Sequence, residues 1–194
     1  IANYLMTDIA AYVNENVISP EELKVTPQTL AELVLLHKEN VLNSKTGKIV
    51  VKENFNAKDI SNTDSIKVGG TLNVDNLKNS KNILASNINI EKSLDNINGA
   101  ISSVNTKINT NDIKNTNGSI QATKNIEIST TEALNLEGKY LANDSLNIKA
   151  KSLENNGNLE NDGKIRLDLT GNLINNKRIS SSGNLDITAK EVLN

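Results

Sequence analysis

From about residue 47 onward, apolar and polar positions alternate with a period of two, and the alternation recurs about every 19 residues. The recurring phrase is an apolar-polar-apolar strand core, a few polar residues, a second apolar position, then Asn or Gly. Its first apolar position falls at Phe55, Leu72, Ile88, Ile108, Ile126, Leu146, Ile165 and Leu185, with spacings of 17, 16, 20, 18, 20, 19 and 20 residues. The cores read Phe55/Ala57, Leu72/Val74, Ile88/Ile90, Ile108/Thr110, Ile126/Ile128, Leu146/Ile148, Ile165/Leu167 and Leu185/Ile187. The residue between each pair is polar, so one face of each strand points inward and the other outward. A second inward position follows at Ile60, Leu77, Leu94, Ile113, Leu134, Leu153, Leu173 and Val192. A third set, at Ile66/Val68, Ile83/Ala85, Ile101, Ile120/Ala122, Leu141/Ala142, Leu159 and Ile179, closes each repeat. Three apolar faces per repeat predict a mainly β protein, a parallel β-helix of about eight coils. Its hand is expected to be right, as parallel crossovers almost always are. At roughly 4.8 Å per coil the rod would be about 38 Å long. Hairpins would instead place neighbouring strands about 8 to 12 residues apart.

Residues 1–45 follow a different period. Ile1, Leu5, Ile9, Tyr12 and Val13 recur mostly every three or four residues, the stripe of an amphipathic helix. Ser19-Pro20-Glu21-Glu22 is a helix start, with Ser19 as cap, Pro20 in the first turn and Glu22 completing a capping box. A second start at Thr26-Pro27 leads into Leu30, Leu33, Val34, Leu36 and Val41, an apolar helix that needs burial. The expected organisation is a helical cap or inserted module over residues 1–45 and the parallel β-helix over residues 46–194. Packed on the first coil, around Leu33 and Leu36, such a cap would cover an unpaired strand edge.

Asparagine is in excess: 34 residues, 29 of them after residue 45. Two positions beyond the second apolar residue stand Asn62, Asn79, Asn96, Asn115, Asn155, Asn175 and Asn194, with Gly138 following Leu136 in the one repeat that departs. Asn and Gly both tolerate the left-handed backbone that a corner demands. Asn recurring at one corner also predicts a hydrogen-bonded amide ladder. The pairs Asn98-Gly99, Asn117-Gly118 and Asn156-Gly157 are turn signals.

Charge adds little, with 21 basic and 23 acidic residues interspersed. No concentrated basic face is visible, and aromatics for stacking on bases are few, so no nucleic-acid partner is expected. No window approaches the 18 apolar residues of a membrane span. Without cysteine there is no disulfide or thiolate metal site, which suits an exported solenoid and a reduced cytosol equally. A first residue of Ile, with no signal peptide, suggests a fragment of a longer protein.

Three phrases carry a family resemblance. SLNIKAKSLENNGN (Ser145 to Asn158), LTGNLINNK (Leu169 to Lys177) and SGNLDITAK (Ser182 to Lys190) resemble repeats of filamentous haemagglutinins. These are the exoproteins of two-partner secretion, including adhesins and the stems of contact-dependent inhibition toxins. The resemblance covers residues 47–194 and not the helices. It implies export through an outer-membrane transporter barrel, display at the cell surface or in the extracellular space, and a host or neighbouring-cell receptor or glycan as partner.

Candidate chemistry is sparse. A β-helix hydrolase needs paired carboxylates on one outer face. Asp75, Asp95, Asp112, Glu127, Asp144, Glu154, Asp168 and Asp186 fall at varying offsets and form no recurring column. The regular outward column is the strand-core middle: Asn56, Asn73, Asn89, Asn109, Glu127, Asn147, Arg166 and Asp186. Within it Arg166 and Asp186 are expected to form a cross-strand ion pair. Arg178, in the same coil as Arg166, would with it either touch an acidic glycan or keep the surface soluble. The lone His37 sits on an apolar helix with no second histidine to build a metal site. Gly69-Gly70 lacks the Gly-Lys-Ser/Thr ending of a phosphate loop, and no Gly-Gly-x-Gly-x-Asp calcium repeat occurs. The Ser and Thr hydroxyls have no activating base.

The expectation is therefore a surface adhesin shaft or toxin-delivery stem: not an enzyme, with no catalytic, cofactor-binding or metal residues. A carbohydrate-active β-helix with its site elsewhere in a longer chain, or an inert spacer, are the alternatives.

Overall fold

The computed structural model describes residues 49–194; the helices expected over residues 1–45 lie outside the described residues. The described part is a parallel β-solenoid of eight turns, in which successive turns pair strand on strand. No helix occurs among the described residues.

Each turn crosses three faces. On the first, Ile49, Ile66, Ile83, Ile101, Ile120, Tyr140, Leu159 and Ile179 stack in register. On the second, Phe55, Leu72, Ile88, Thr106, Ile126, Leu146, Ile165 and Leu185 do the same. The third carries two runs, Ile60 to Ile113 and Leu134 to Val192. Alternation buries these columns: Leu72, Ile88, Ile126, Leu146 and Ile165 are all 0% exposed. The aliphatic layers form one continuous core. At about 1.5–3 kcal/mol per buried Leu or Ile, stacking these columns is the main source of stability.

Two strands sit differently from the sequence expectation. The fourth second-face strand places Thr106/Ile108 in register with Ile88/Ile90, two residues earlier than the expected Ile108/Thr110. Thr106 is buried, and its hydroxyl meets that of Ser103 at 2.7 Å, so a satisfied polar pair stands where an apolar residue was expected. The outward column accordingly carries Lys107, not Asn109. On the first face, Tyr140 and not Leu141 points into the core.

The turns also lengthen. Between the second and third faces the chain takes three residues from Ala57 to Ile60 and six from Ile128 to Leu134, so the repeat grows from 17 residues to about 20.

Candidate functional site

The most elaborated region of the surface is the corner where the third face turns into the next turn's first face. Here the expected amide ladder is present. Asn62 Nδ2 donates to Asn79 Oδ1 (2.6 Å), Asn79 to Asn96 (2.7 Å) and Asn96 to Asn115 (2.7 Å). A second run joins Asn155 to Asn175 (2.8 Å) and Asn175 to Asn194 (2.7 Å). Each amide also donates to backbone carbonyls of the corner, as Asn96 does to Gly99 (3.2 Å) and Ser119 (3.3 Å). Asn79, Asn96, Asn115 and Asn155 are at most 1% exposed, so the ladder satisfies polar groups that would otherwise be stranded in the core. Leu136 replaces the amide in the fifth turn and divides the ladder in two.

The ladder residues do not take the left-handed backbone. Positive φ occurs at Asn98 (58°), Asn117 (56°) and Gly138 (73°), two residues further along, where the chain reverses. Glycine is needed beside them for space. A Cβ on Gly99 would lie 2.6 Å from the Asn79 carbonyl oxygen, and one on Gly118 would collide with the Asn96 carbonyl. Other side chains extend the pattern: Asn105 bridges Asn87 and Asn125 at 3.0 Å each, and Asn73 bridges Asn56 and Asn89 at 2.7 Å each.

Outside this corner lies a groove of about 540 Å³, lined by Thr116, Asn117, Glu137, Lys139, Asn156 and Lys177 among others. Thr116 Oγ1 donates to the Glu137 carboxylate, and Lys139 pairs with Glu160 at 3.1 Å. The groove therefore offers amides, hydroxyls and ammonium groups, a surface suited to hydrogen bonding more than to bond cleavage.

The sequence-selected charges stay apart. Asp75 pairs with Lys92 at 2.6 Å, and that hydrogen bond, with the carboxylate's charge, raises the lysine above its ordinary pKa. Arg166 and Asp186 are register neighbours, yet Asp186 pairs with Lys164 (2.6 Å) and Arg166 lies 3.9 Å from Asp168. The expected Arg166–Asp186 ion pair does not form, because Lys164 on the same strand as Arg166 takes the carboxylate. These pairs are exposed to solvent and add little to stability. Gly69 and Gly70 press against the backbone of Lys52 and Glu53 and serve packing, with Gly70 N–H donating to Glu53 O at 2.9 Å. His37 lies outside the described residues. Among the described residues there is no cluster of three metal-ligating side chains, and no helix long and apolar enough to cross a membrane.

The residue missed in the sequence is Tyr140. It is fully buried, and its hydroxyl has no hydrogen-bond partner although it sits beside the Asn115 side chain. Burial pushes its pKa well above the ordinary tyrosine value; Asn115 pulls weakly the other way and Glu137 adds to the rise. The spacing Tyr140/Ala142, which repeats Ile120/Ala122 one turn earlier, is the signal that marks it as interior; hydropathy alone favours its neighbour Leu141.

Comparison with known proteins redirects the functional reading. A family model described as "GatB domain" matches residues 1–97, which includes the first three turns of the solenoid. The B-type component of an aspartyl/glutamyl-tRNA(Asn/Gln) amidotransferase from Lactobacillus johnsonii is 40% identical over 54 residues, 28% of this chain and 11% of the relative. Its counterpart in a chloroplastic/mitochondrial glutamyl-tRNA(Gln) amidotransferase from Ricinus communis is 42% identical over 52 residues, 27% of this chain and 10% of the relative. That of the Synechococcus elongatus aspartyl/glutamyl-tRNA(Asn/Gln) amidotransferase is 46% identical over 52 residues, again 27% and 10%. The chain thus spans about a tenth of the curated relatives it matches. No solved structure matches the chain.

These matches overturn the haemagglutinin resemblance and what it implied. The phrases that suggested it are aliphatic alternation with Asn and Gly at corners, which any stacked parallel coil with an amide ladder requires; they report geometry, not ancestry. The adhesin or toxin-stem function, the carbohydrate-active and spacer alternatives, the outer-membrane transporter and surface-receptor partners, and the extracellular location fall with it. The expectation of a non-enzyme is corrected too, since the relatives are named as components of an amidotransferase. So is the exclusion of nucleic acid: those names specify tRNA, and a balanced net charge averages over local surfaces that can still meet phosphate.

Proposed function

The chain belongs to the GatB domain family, and from that membership we propose that it works as part of the B-type component of an amidotransferase acting on aspartyl- or glutamyl-tRNA. The observation that carries the proposal is the family match over residues 1–97. It is supported by relatives 40–46% identical over 52–54 residues that are named for this activity. The role proposed is recognition and assembly: engaging charged tRNA and the other components of the enzyme inside the cell or organelle where translation runs. Residues 1–45, as a helical module, and residues 46–194, as the solenoid, are the two parts of this reading. The family match runs from the first part into the second, which supports taking the first turns together with the recognition portion. A stacked solenoid suits that place, because its core is held by in-register columns and ladders that fix the positions of outward side chains.

The test is a retention assay of the full chain with glutamyl-tRNA(Gln), uncharged tRNA(Gln) and a DNA duplex across a salt series. Retention of the charged tRNA that weakens as salt rises is expected, together with co-purification with the remaining components of a bacterial amidotransferase. If neither tRNA is held at low salt and no such component co-purifies, the proposal fails.

A further inference from the structure

Three irregularities converge on one level of the solenoid, the corner and third face between the fourth and fifth turns. The short strand Ile113–Lys114 pairs with the preceding turn at Leu94 and Asp95, but no backbone ladder joins it to Ala133–Ala142 in the turn that follows. The amide ladder stops at the same place. Asn115 has no amide above it because Leu136 stands there, and its Nδ2 turns instead to the carbonyls of Glu137 (3.2 Å) and Lys139 (3.4 Å). Third, the corner beyond Leu136 passes through Gly138 with φ of 73°, while the Tyr140 hydroxyl is buried beside Asn115 without a partner. Elsewhere the third face is continuous, pairing residues 59–62, 76–79 and 93–95 on one side and 133–136, 152–155 and 173–175 on the other.

We propose that the solenoid is built as two blocks, turns one to four and turns five to eight, with a parting plane between them that opens on the third face. The first two faces remain paired across this level, through residues 100–108 against 119–128, and act as the hinge. Parting the third face here breaks no backbone ladder, whereas at every other level that face would have to give one up. The proposal goes beyond the family reading and does not depend on it.

Hydrogen exchange on the full chain decides it. Amides of residues 113–116 and 134–137 are expected to exchange about tenfold or more faster than those of 77–80, 94–96 and 153–156, which hold the same corner in regular turns. Equal protection at all of these levels would overturn the proposal. A second measurement reverses the cause. Asn96→Leu copies the break two turns earlier, and fast exchange should then appear at residues 94–97 with turns six and seven unchanged. Leu136→Asn, which supplies the missing amide, should slow exchange at 113–116. A folded Asn96→Leu protein with wild-type protection at 94–97 would show that the amide break does not set the plane, and would also sink the idea.

Discussion

Tyr140 shows how one buried hydroxyl sets a pH dependence. Its ring fills the column between Ile120 and Leu159, while its oxygen is desolvated and unpaired. Leaving a buried hydroxyl unsatisfied costs about 1–3 kcal/mol. Tyr140→Phe keeps the ring and removes the oxygen, so it should leave the fold intact and raise stability by up to about that amount, read from urea unfolding at pH 7. The folded-state pKa is raised above the ordinary value of 10.0, because burial penalises the phenolate. The contribution of the neutral phenol is therefore fully present below pH 10 and is lost as pH climbs beyond it, where the unfolded chain ionises and the folded one does not. Wild-type stability should fall above about pH 10 more steeply than that of the Phe variant; parallel curves would show that Tyr140 is not desolvated. Gly118 poses a steric question instead. A methyl there meets the Asn96 carbonyl and the Asn115 amide oxygen, both held by the ladder, so neither can withdraw cheaply. Gly118→Ala should cost on the order of 1–3 kcal/mol, in the manner of an overpacked core. Gly171→Ala, whose nearest neighbour would lie at 2.8 Å on a half-buried corner, should cost less.

At the scale of the strand and corner, the amide ladder is the element to perturb. Asn96 accepts from Asn79, donates to Asn115, and caps the Gly99 carbonyl, all while fully buried. Asn96→Ala strands both neighbours and should cost about 2–4 kcal/mol, the effect of two buried polar groups losing partners. Asn73→Ala removes an equally short pair of bonds on the outside, where water replaces them, and should stay within about 0.5 kcal/mol. Thermal denaturation of the two variants gives the comparison; similar losses would mean the buried ladder is not structural. The ladder was legible in the sequence because its spacing follows the repeat and because Asn is a poor occupant of a core without such a reason. The third-face column from Ile60 to Val192 was legible on the same ground. The fourth turn was not. Thr106 is polar by its letter and interior by its place, and only the Ser103 hydroxyl, three residues away, makes that possible. Alternation read from hydropathy slides to Ile108 as the first apolar residue, and two residues is the smallest slip that keeps every side chain on its own face. The corner conformations were half legible: the Asn-Gly pairs marked the turns at Asn98 and Asn117, but the left-handed residue is the Asn of the turn pair, not the Asn of the ladder.

For the whole molecule, function was the part the repeat hid. Residues such as Leu146, Ile148 and Asn155 are chosen by the solenoid, so phrases built from them say how the chain stacks and not what it descends from. The same stacking makes the molecule nearly one-dimensional: each turn touches the turn before and the turn after, and stability is close to a sum over turns and their interfaces. Ile90 in the third turn and Ile148 in the sixth are both at most 1% exposed and occupy the same column on opposite sides of the break at Leu136. Ile→Ala at either site should cost about 2–5 kcal/mol. In a compact globule such losses would loosen the whole domain together. Here Ile90→Ala should raise hydrogen exchange in turns two to four and leave turns six and seven protected, with Ile148→Ala giving the mirror result. The double variant should lose the sum of the two within about 0.5 kcal/mol, because no side chain is shared between the sites. Uniform loss of protection in either single variant, or a strongly non-additive double variant, would mean that the eight turns fold as one cooperative body and that the gap between Ile113–Lys114 and Ala133–Ala142 carries no mechanical meaning.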